Sequence, residues 1–329
     1  MRSVRPKRLL VLAIAALVGG ELFARFYLGL GDPPLSEAHP TIEYLFKPNQ
    51  NVRRFGNSFR TNRYGMRSDD FEPQKRDPRE LRVMVYGDSV VNGGNLTDQA
   101  RVGTSILQRT LTKELGRPVI VGNISAGSWG PPNEYAYLRQ YGFLDADVVV
   151  QVVSSSDYDD SPTFEPLNPL THPTEAPVSA LGEALTRYLP RYLSGHLGNE
   201  SGVVPDAQAV PNARDIVVAL AAEHDFLQMA RAESVRVLVV QHWTASELRS
   251  RKPQQGHTDL RRVALEAGVP VYDDDAKLQA FLDAHQNPYR DDIHLNDAGQ
   301  QALAQLLLEI LRRDFAEVLA TGGKPLHAD

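Results

Sequence analysis

The stretch Val83-Met84-Val85-Tyr86-Gly87-Asp88-Ser89-Val90-Val91-Asn92-Gly93-Gly94 decides how the rest of the chain is read. An apolar run stops abruptly at a small residue, an acid and a serine, and glycines follow. As a buried parallel strand ending in a tight turn, it presents Ser89 at the carboxyl edge of a sheet, where open α/β folds place their ligands. Ser89 is therefore the candidate nucleophile. Three residues alone read more simply as a polar turn closing a strand, so the remaining chain has to carry the assignment.

Other short runs have the same character. Leu81 to Tyr86, Val119 to Ile124, Val148 to Val153, Val235 to Val240 and Val269 to Tyr272 are too continuously apolar for half-exposed strands, and helical patterns separate most of them. This predicts a parallel sheet covered on both faces. Ile106, Leu107, Thr110, Leu111 and Leu115 mark one helix face, and Leu303, Leu306, Leu307, Ile310 and Leu311 mark another. Right-handed crossovers then bring the carboxyl ends of all strands to one edge.

Several loops meet at that edge. After the second strand, Asn123-Ile124-Ser125-Ala126-Gly127-Ser128-Trp129-Gly130-Pro131-Pro132-Asn133 offers small residues whose backbone N–H groups can face a developing negative charge. After the third, Ser154-Ser155-Ser156-Asp157-Tyr158-Asp159-Asp160 supplies hydroxyl donors or, more plainly, a helix cap. Near the end, Arg290-Asp291-Asp292-Ile293-His294-Leu295-Asn296-Asp297 sets an acid three residues before a histidine. One turn can hold His294 against its carboxylate and leave the other ring nitrogen to take a proton from Ser89. His172, His242 and His257 share no ligand spacing with His294, so neither zinc nor another metal is expected.

Composition narrows the classes. A 329-residue chain, 42% hydrophobic and 23% charged, can bury a sizeable core, and its net charge of −6 with scattered basic residues leaves no footprint for nucleic acid. The absence of cysteine removes a thiol nucleophile, a disulfide framework and a Cys-based zinc site together. At the amino terminus, Arg2, Arg5, Lys7 and Arg8 precede an apolar stretch from Leu9 to Leu30 that is interrupted only by Glu21 and Arg25, which can pair across one helical turn. The span approaches the length needed to cross a bilayer and lacks a clean cleavage site, so an uncleaved signal-anchor is expected, with the bulk of the chain outside the cytoplasm.

Residues 31–80, rich in proline, read as an extracytoplasmic spacer with short strands and mostly architectural content. Within it, Asn62-Arg63-Tyr64-Gly65-Met66-Arg67 reads as a turn closing a small hairpin. Between Ser161 and Pro211 lie eight prolines and one helix-like patch at Ala180 to Leu193. A segment of this kind is either a lid facing the substrate or a disordered surface excursion.

Gly-Asp-Ser after the first strand, a small-residue loop after the second, a polar loop after the third and Asp-x-x-His before the last helix, in that order, resemble the SGNH/GDSL hydrolase superfamily from about Leu81 to Phe315, with 316–329 as a tail. The expected fold class is α/β, a three-layer α/β/α arrangement around a five-stranded parallel, flavodoxin-like sheet, plus the N-terminal transmembrane helix. The resemblance implies that Ser89 attacks, His294 is the general base and Asp291 orients it. It places the oxyanion hole at the Ser89 backbone, a glycine of the second loop (Gly127, or alternatively Gly130) and an Asn of the third loop, where this chain has Ser156. Trp129 and Asp157 are the candidate substrate-binding residues, and no cofactor is implied.

Phe55-Gly56-Asn57 and Asn62 to Arg67, followed by the Gly-Asp-Ser strand, are also similar to a bacterial, membrane-anchored subset linked to O-acyl groups on cell-surface carbohydrate. That likeness implies a serine esterase or transferase on an acetylated or short-acylated polysaccharide, held in the inner membrane with its catalytic domain in the periplasm or outside the cell. The competing expectations are a catalytically weakened carbohydrate-binding or scaffolding protein of the same fold and a lipase-like esterase.

Overall fold

The computed structural model describes residues 6–190, 192 and 212–321. Arg2 and Arg5 of the basic flank, residues 191 and 193–211 of the proline-rich insertion, with the end of its helix-like patch, and the final eight residues lie outside the described residues.

Five strands form one parallel sheet: β5 (Leu81–Gly87), β6 (Val119–Ser125), β7 (Val148–Ser154), β8 (Arg236–His242) and β9 (Val271–Asp273), in the order β6-β5-β7-β8-β9. This is the flavodoxin-like order, with the reversal between the first and third strands in sequence placing a crevice at the end of β5. Alternation along each strand feeds two cores. Val83, Val85, Val121, Val150 and Val240 face the layer containing helices Gly103–Leu115 and Asp297–Asp314, whereas Met84, Tyr86, Ile124, Val149 and Val239 face helices Pro131–Tyr141, Ala213–Ala232 and Gln255–Glu266. Apolar burial on both faces is why these runs lack the polar alternation of a half-exposed strand. The last strand is short and begins at Val271 rather than Val269, since Pro270 has no N–H to donate to a ladder.

The spacer supplies two hairpins, β1 (Ser36–His39) with β2 (Glu43–Phe46) and β3 (Asn51–Arg54) with β4 (Asn57–Arg60). The β3–β4 hairpin closes at Phe55-Gly56, both at positive φ. Asn62 to Arg67 closes no hairpin. The Asn62 side chain accepts hydrogen bonds from the Tyr64 and Met66 N–H groups, making a turn that sends the buried Arg67 beneath the loop after β5. The expected tail also begins as structure: helix Ala316–Thr321 buries Val318 in the main core.

At the amino terminus, helix Pro6–Leu22 continues through a π-helical turn, Phe23–Tyr27, and Lys7–Tyr27 is long and apolar enough to cross a membrane. Glu21 and Arg25 pair at 2.8 Å on this helix.

Candidate active site

The β5 strand ends at Gly87 because only a glycine fits there. A Cβ would stand 2.5 Å from Val91 Cγ2 and 3.0 Å from the Val152 carbonyl. The close approach turns the chain directly into a short helix, Ser89–Asn92, whose N-cap is Asp88, with its carboxylate accepting from the Val90 N–H at 2.8 Å. Burial raises the Asp88 pKa against the lowering pull of that bond and of His242 and His294. Ser89, first in the helix, emerges at the carboxyl edge of the sheet.

His294 comes from the loop before helix Asp297–Asp314. A bridge between Tyr289 and Leu295 and the hydrogen bond from Arg290 N–H to the His294 carbonyl fold this loop back on itself. Within it, Asp291 Oδ1 accepts from the backbone N–H groups of Ile293 (3.0 Å) and His294 (2.7 Å), and Oδ2 lies 2.7 Å from His294 Nδ1. The opposite ring nitrogen, Nε2, lies 3.0 Å from Ser89 Oγ. Partial burial works to raise the Asp291 pKa, but the ring and backbone hydrogen bonds outweigh it and hold the carboxyl at about 2. Asp291 is thus a carboxylate at any ordinary pH and fixes the tautomer that leaves Nε2 able to accept a proton.

A cavity of about 350 Å3 opens over Ser89, His294 and Asp291. Gly127 lines it, and the Tyr44 hydroxyl donates a hydrogen bond to the Gly127 carbonyl. Gly130, the alternative, is buried against Asp160, where a Cβ would meet that residue's carbonyl oxygen at 2.6 Å, and it does not line the cavity.

The remaining expected residues stand elsewhere. Ser156 is exposed, its Oγ is 2.8 Å from Ser154 Oγ, and it is not part of the cavity wall. Asp157 is buried, accepting from the Ser154 N–H and hydroxyl, and burial pushes its carboxyl well up. Trp129 is only 2% exposed, packed against Tyr44 and Tyr137. Neither Trp129 nor Asp157 reaches the cavity, because the turn after β7 satisfies its own backbone with the Asp157 carboxyl while the indole fills the core.

The walls instead come from the spacer, expected to be mostly architectural, and from the proline-rich insertion, expected to be either a lid facing the substrate or a disordered excursion. Tyr44, Phe46 and Phe59 of the spacer and Thr171, His172 and Arg187 of the insertion surround the opening. Tyr44 and His172 bring their rings within 4.3 Å, and burial lowers the His172 pKa. No spacing in the sequence links residues this far apart; only the aromatic density of the spacer hints at them.

His242, considered above only as a metal ligand, lies against the loop that carries His294. Its Nδ1 is 2.6 Å from Asp274 Oδ2 and its Nε2 is 2.9 Å from the Ile293 carbonyl. Burial tends to lower its pKa, yet the charge and hydrogen bond of Asp274 prevail and raise it. Both ring nitrogens are thus engaged, one by Asp274 and the other by the carbonyl of the residue adjoining His294.

No protein-family model and no curated protein matches the chain. Similar solved structures include the acetyl xylan esterase AlAXEase (15% identity over 70% of this chain and 100% of that one, TM-score 0.43). A member of the lipolytic protein G-D-S-L family from Veillonella parvula is similar at 12% identity over 71% and 99% of the two chains, with a TM-score of 0.41. A lipase/acylhydrolase from Enterococcus faecalis is similar at 15% over 75% and 100%, with a TM-score of 0.42.

Proposed function

We propose that this protein is a serine ester hydrolase in which Ser89 is the nucleophile, His294 the general base and Asp291 its orienting carboxylate. The observation that carries the reading is the unbroken chain from Ser89 Oγ through both His294 nitrogens to a carboxylate held ionised, opening into a cavity. His294 takes the Ser89 proton as Oγ attacks the ester carbonyl carbon, then returns it to the departing alkoxide, and water repeats the sequence on the acyl-enzyme. The Ser89 and Gly127 backbone N–H groups are the proposed donors to the oxyanion. With Ser156 turned toward Ser154, the hole works with one side-chain donor fewer than the resemblance implies.

The small cavity favours an acetyl or other short acyl group, and the half-buried His172 ring, packed against Tyr44, gives a sugar something to rest on. Together with the apolar N-terminal helix, this supports an O-acyl esterase or transferase acting on extracytoplasmic carbohydrate and held by a signal-anchor with Lys7 and Arg8 on the cytoplasmic side. A binding-protein reading draws on the displaced Ser156. The deciding experiment incubates the purified chain with short-chain aryl esters and acetylated glycans beside Ser89→Ala. Hydrolysis by the parent alone is expected; equal turnover by both would move the site elsewhere, and turnover by neither would favour the binding protein.

A further inference from the structure

The helix of the proline-rich insertion is built into the end of the candidate span. It runs from Ala180 to Glu183 and continues as a π-helical stretch, Ala184–Tyr188. Glu21, near the carboxyl end of the apolar N-terminal helix, accepts hydrogen bonds from Ser179 Oγ (2.8 Å) and from the N–H groups of Ala180 (3.1 Å) and Leu181 (2.8 Å). Leu181 packs on Gly20, where an added Cβ would meet its side chain at 3.4 Å. Ala24, Leu30 and Ala180 form a small core with Leu28, Phe55, Ala184 and Tyr188 around them.

A buried ion pair locks the helix to the spacer on its other side. Arg54 on β3 donates to both Glu183 oxygens, at 2.6 and 3.1 Å, and to the Tyr188 hydroxyl at 2.7 Å. Glu183 also accepts from the Gly31 N–H. The helix therefore has one face committed to protein, and from that face Arg187 reaches the wall of the Ser89 cavity.

Its other face is apolar and open. Leu185 and Leu189 are 52% and 41% exposed, and their spacing of four continues the stripe that begins with Leu181 on Gly20. Beside them, Leu22, Phe23, Phe26 and Tyr27 of the span are at least half exposed. Exposed apolar side chains on a short helix fixed to the end of a span are continuous with a surface that must itself be in lipid.

We propose that helix 180–188 lies in the outer interface of the membrane beside the span, with Leu185 and Leu189 in lipid, so that the Ser89 cavity acts on an ester held at the bilayer surface. The proposal rests on the signal-anchor reading for its membrane and on the esterase reading for its substrate. Reach is consistent with it: Pro34 lines the cavity and follows Tyr27 by seven residues, which span at most about 24 Å when extended.

The lack of cysteine makes the test clean. Leu185→Cys, Leu189→Cys and the distant, exposed Lys113→Cys are labelled singly with an environment-sensitive fluorophore in the full chain, reconstituted into phosphatidylethanolamine–phosphatidylglycerol vesicles. Labels at 185 and 189 are expected to be quenched at least about twofold more than the label at 113 by acyl-chain nitroxide lipids. Quenching of all three by aqueous iodide alone overturns the proposal, as does protection of 185 and 189 from both quenchers, the result a protein partner would give. In a second arm, Leu185→Glu with Leu189→Glu is expected to lower turnover of a lipid-anchored acetyl ester by roughly tenfold while leaving a soluble aryl ester unchanged. Equal loss on both esters counts against a surface-held substrate. A parent inactive on both esters would sink the esterase reading, and the labelling result would still decide where the helix lies.

Discussion

At the scale of single residues, hydrogen bonds join Ser89, His294 and Asp291 into one chain, along which the proposed mechanism moves the Ser89 proton. Ser89→Ala and His294→Ala each stop the same transfer, so each is expected to lower kcat on an aryl ester on the order of a thousandfold or more, and the double variant should be no worse than either. Asp291→Ala should retain about tenfold more activity than His294→Ala, because an unheld imidazole is still a base. Additive losses in the double variant would show that the two side chains do not act together. Because Asp291 stays ionised down to a pH of about 2, no change of rate above about pH 3 should belong to its protonation.

His242 acts one layer further in. It holds the Ile293 carbonyl, so His242→Gln is expected to lower kcat by roughly tenfold to a hundredfold through a displaced His294, with KM nearly unchanged. A change confined to KM would contradict that positioning role. Ser156→Ala, by contrast, should leave turnover within about twofold, since its hydroxyl faces Ser154 rather than the cavity.

At the scale of elements, the strand-turn-helix around Ser89 shows what a sequence can disclose. Val83 to Tyr86 sits between strands on both sides and must be apolar on both faces, and Gly87 must be small because Val91 and Val152 crowd it. Local constraints of that kind leave a mark in consecutive residues, as does Asp291, three positions from His294. Gly87→Ala therefore has a clear expectation: a stability loss of about 1–3 kcal/mol from overpacking, read as a lower denaturation midpoint. An unchanged midpoint would mean that Val91 moves aside freely.

Where contacts join distant segments, the chain gives no such mark. His172 packs at a tilt against Tyr44 across more than a hundred positions, and Arg54 meets Glu183 across a similar gap. The spacer reads as architecture and the insertion as either lid or excursion, because their prolines fix local backbone while saying nothing of what the side chains face. Trp129 and Asp157 erred in the opposite direction. Their residue types suit a binding site, but an indole and a carboxylate are equally useful for filling a core and capping a turn, and proximity to a strand end does not distinguish the two.

For the whole molecule, the core beneath the site carries an unusual load of acid. Gln151, at the centre of the sheet, donates through one amide nitrogen to Glu134 (2.7 Å) and Glu223 (2.6 Å), each from a different helix. Both carboxyls are fully buried, and Glu134 Oε1, Glu223 Oε1 and Gln151 Oε1 have no hydrogen-bond partner among the described residues. Burial raises Glu223 to about 8, and burial together with the Glu223 charge drives Glu134 well above its ordinary value. In the folded chain Glu223 keeps its proton up to that pH, whereas in the unfolded chain it releases it near 4.5. Between those two values the unfolded state binds fewer protons, so stability falls as pH rises through the window, by up to about 1.4 kcal/mol per pH unit for one such group. Glu223→Gln keeps the volume and removes the titration. Its thermal midpoint relative to the parent should therefore climb between pH 5 and pH 8, by about 2–4 °C for each kcal/mol relieved. A midpoint difference that is the same at both pH values would mean that Glu223 is already ionised in the folded core, with the Gln151 amide as its one donor among the described residues.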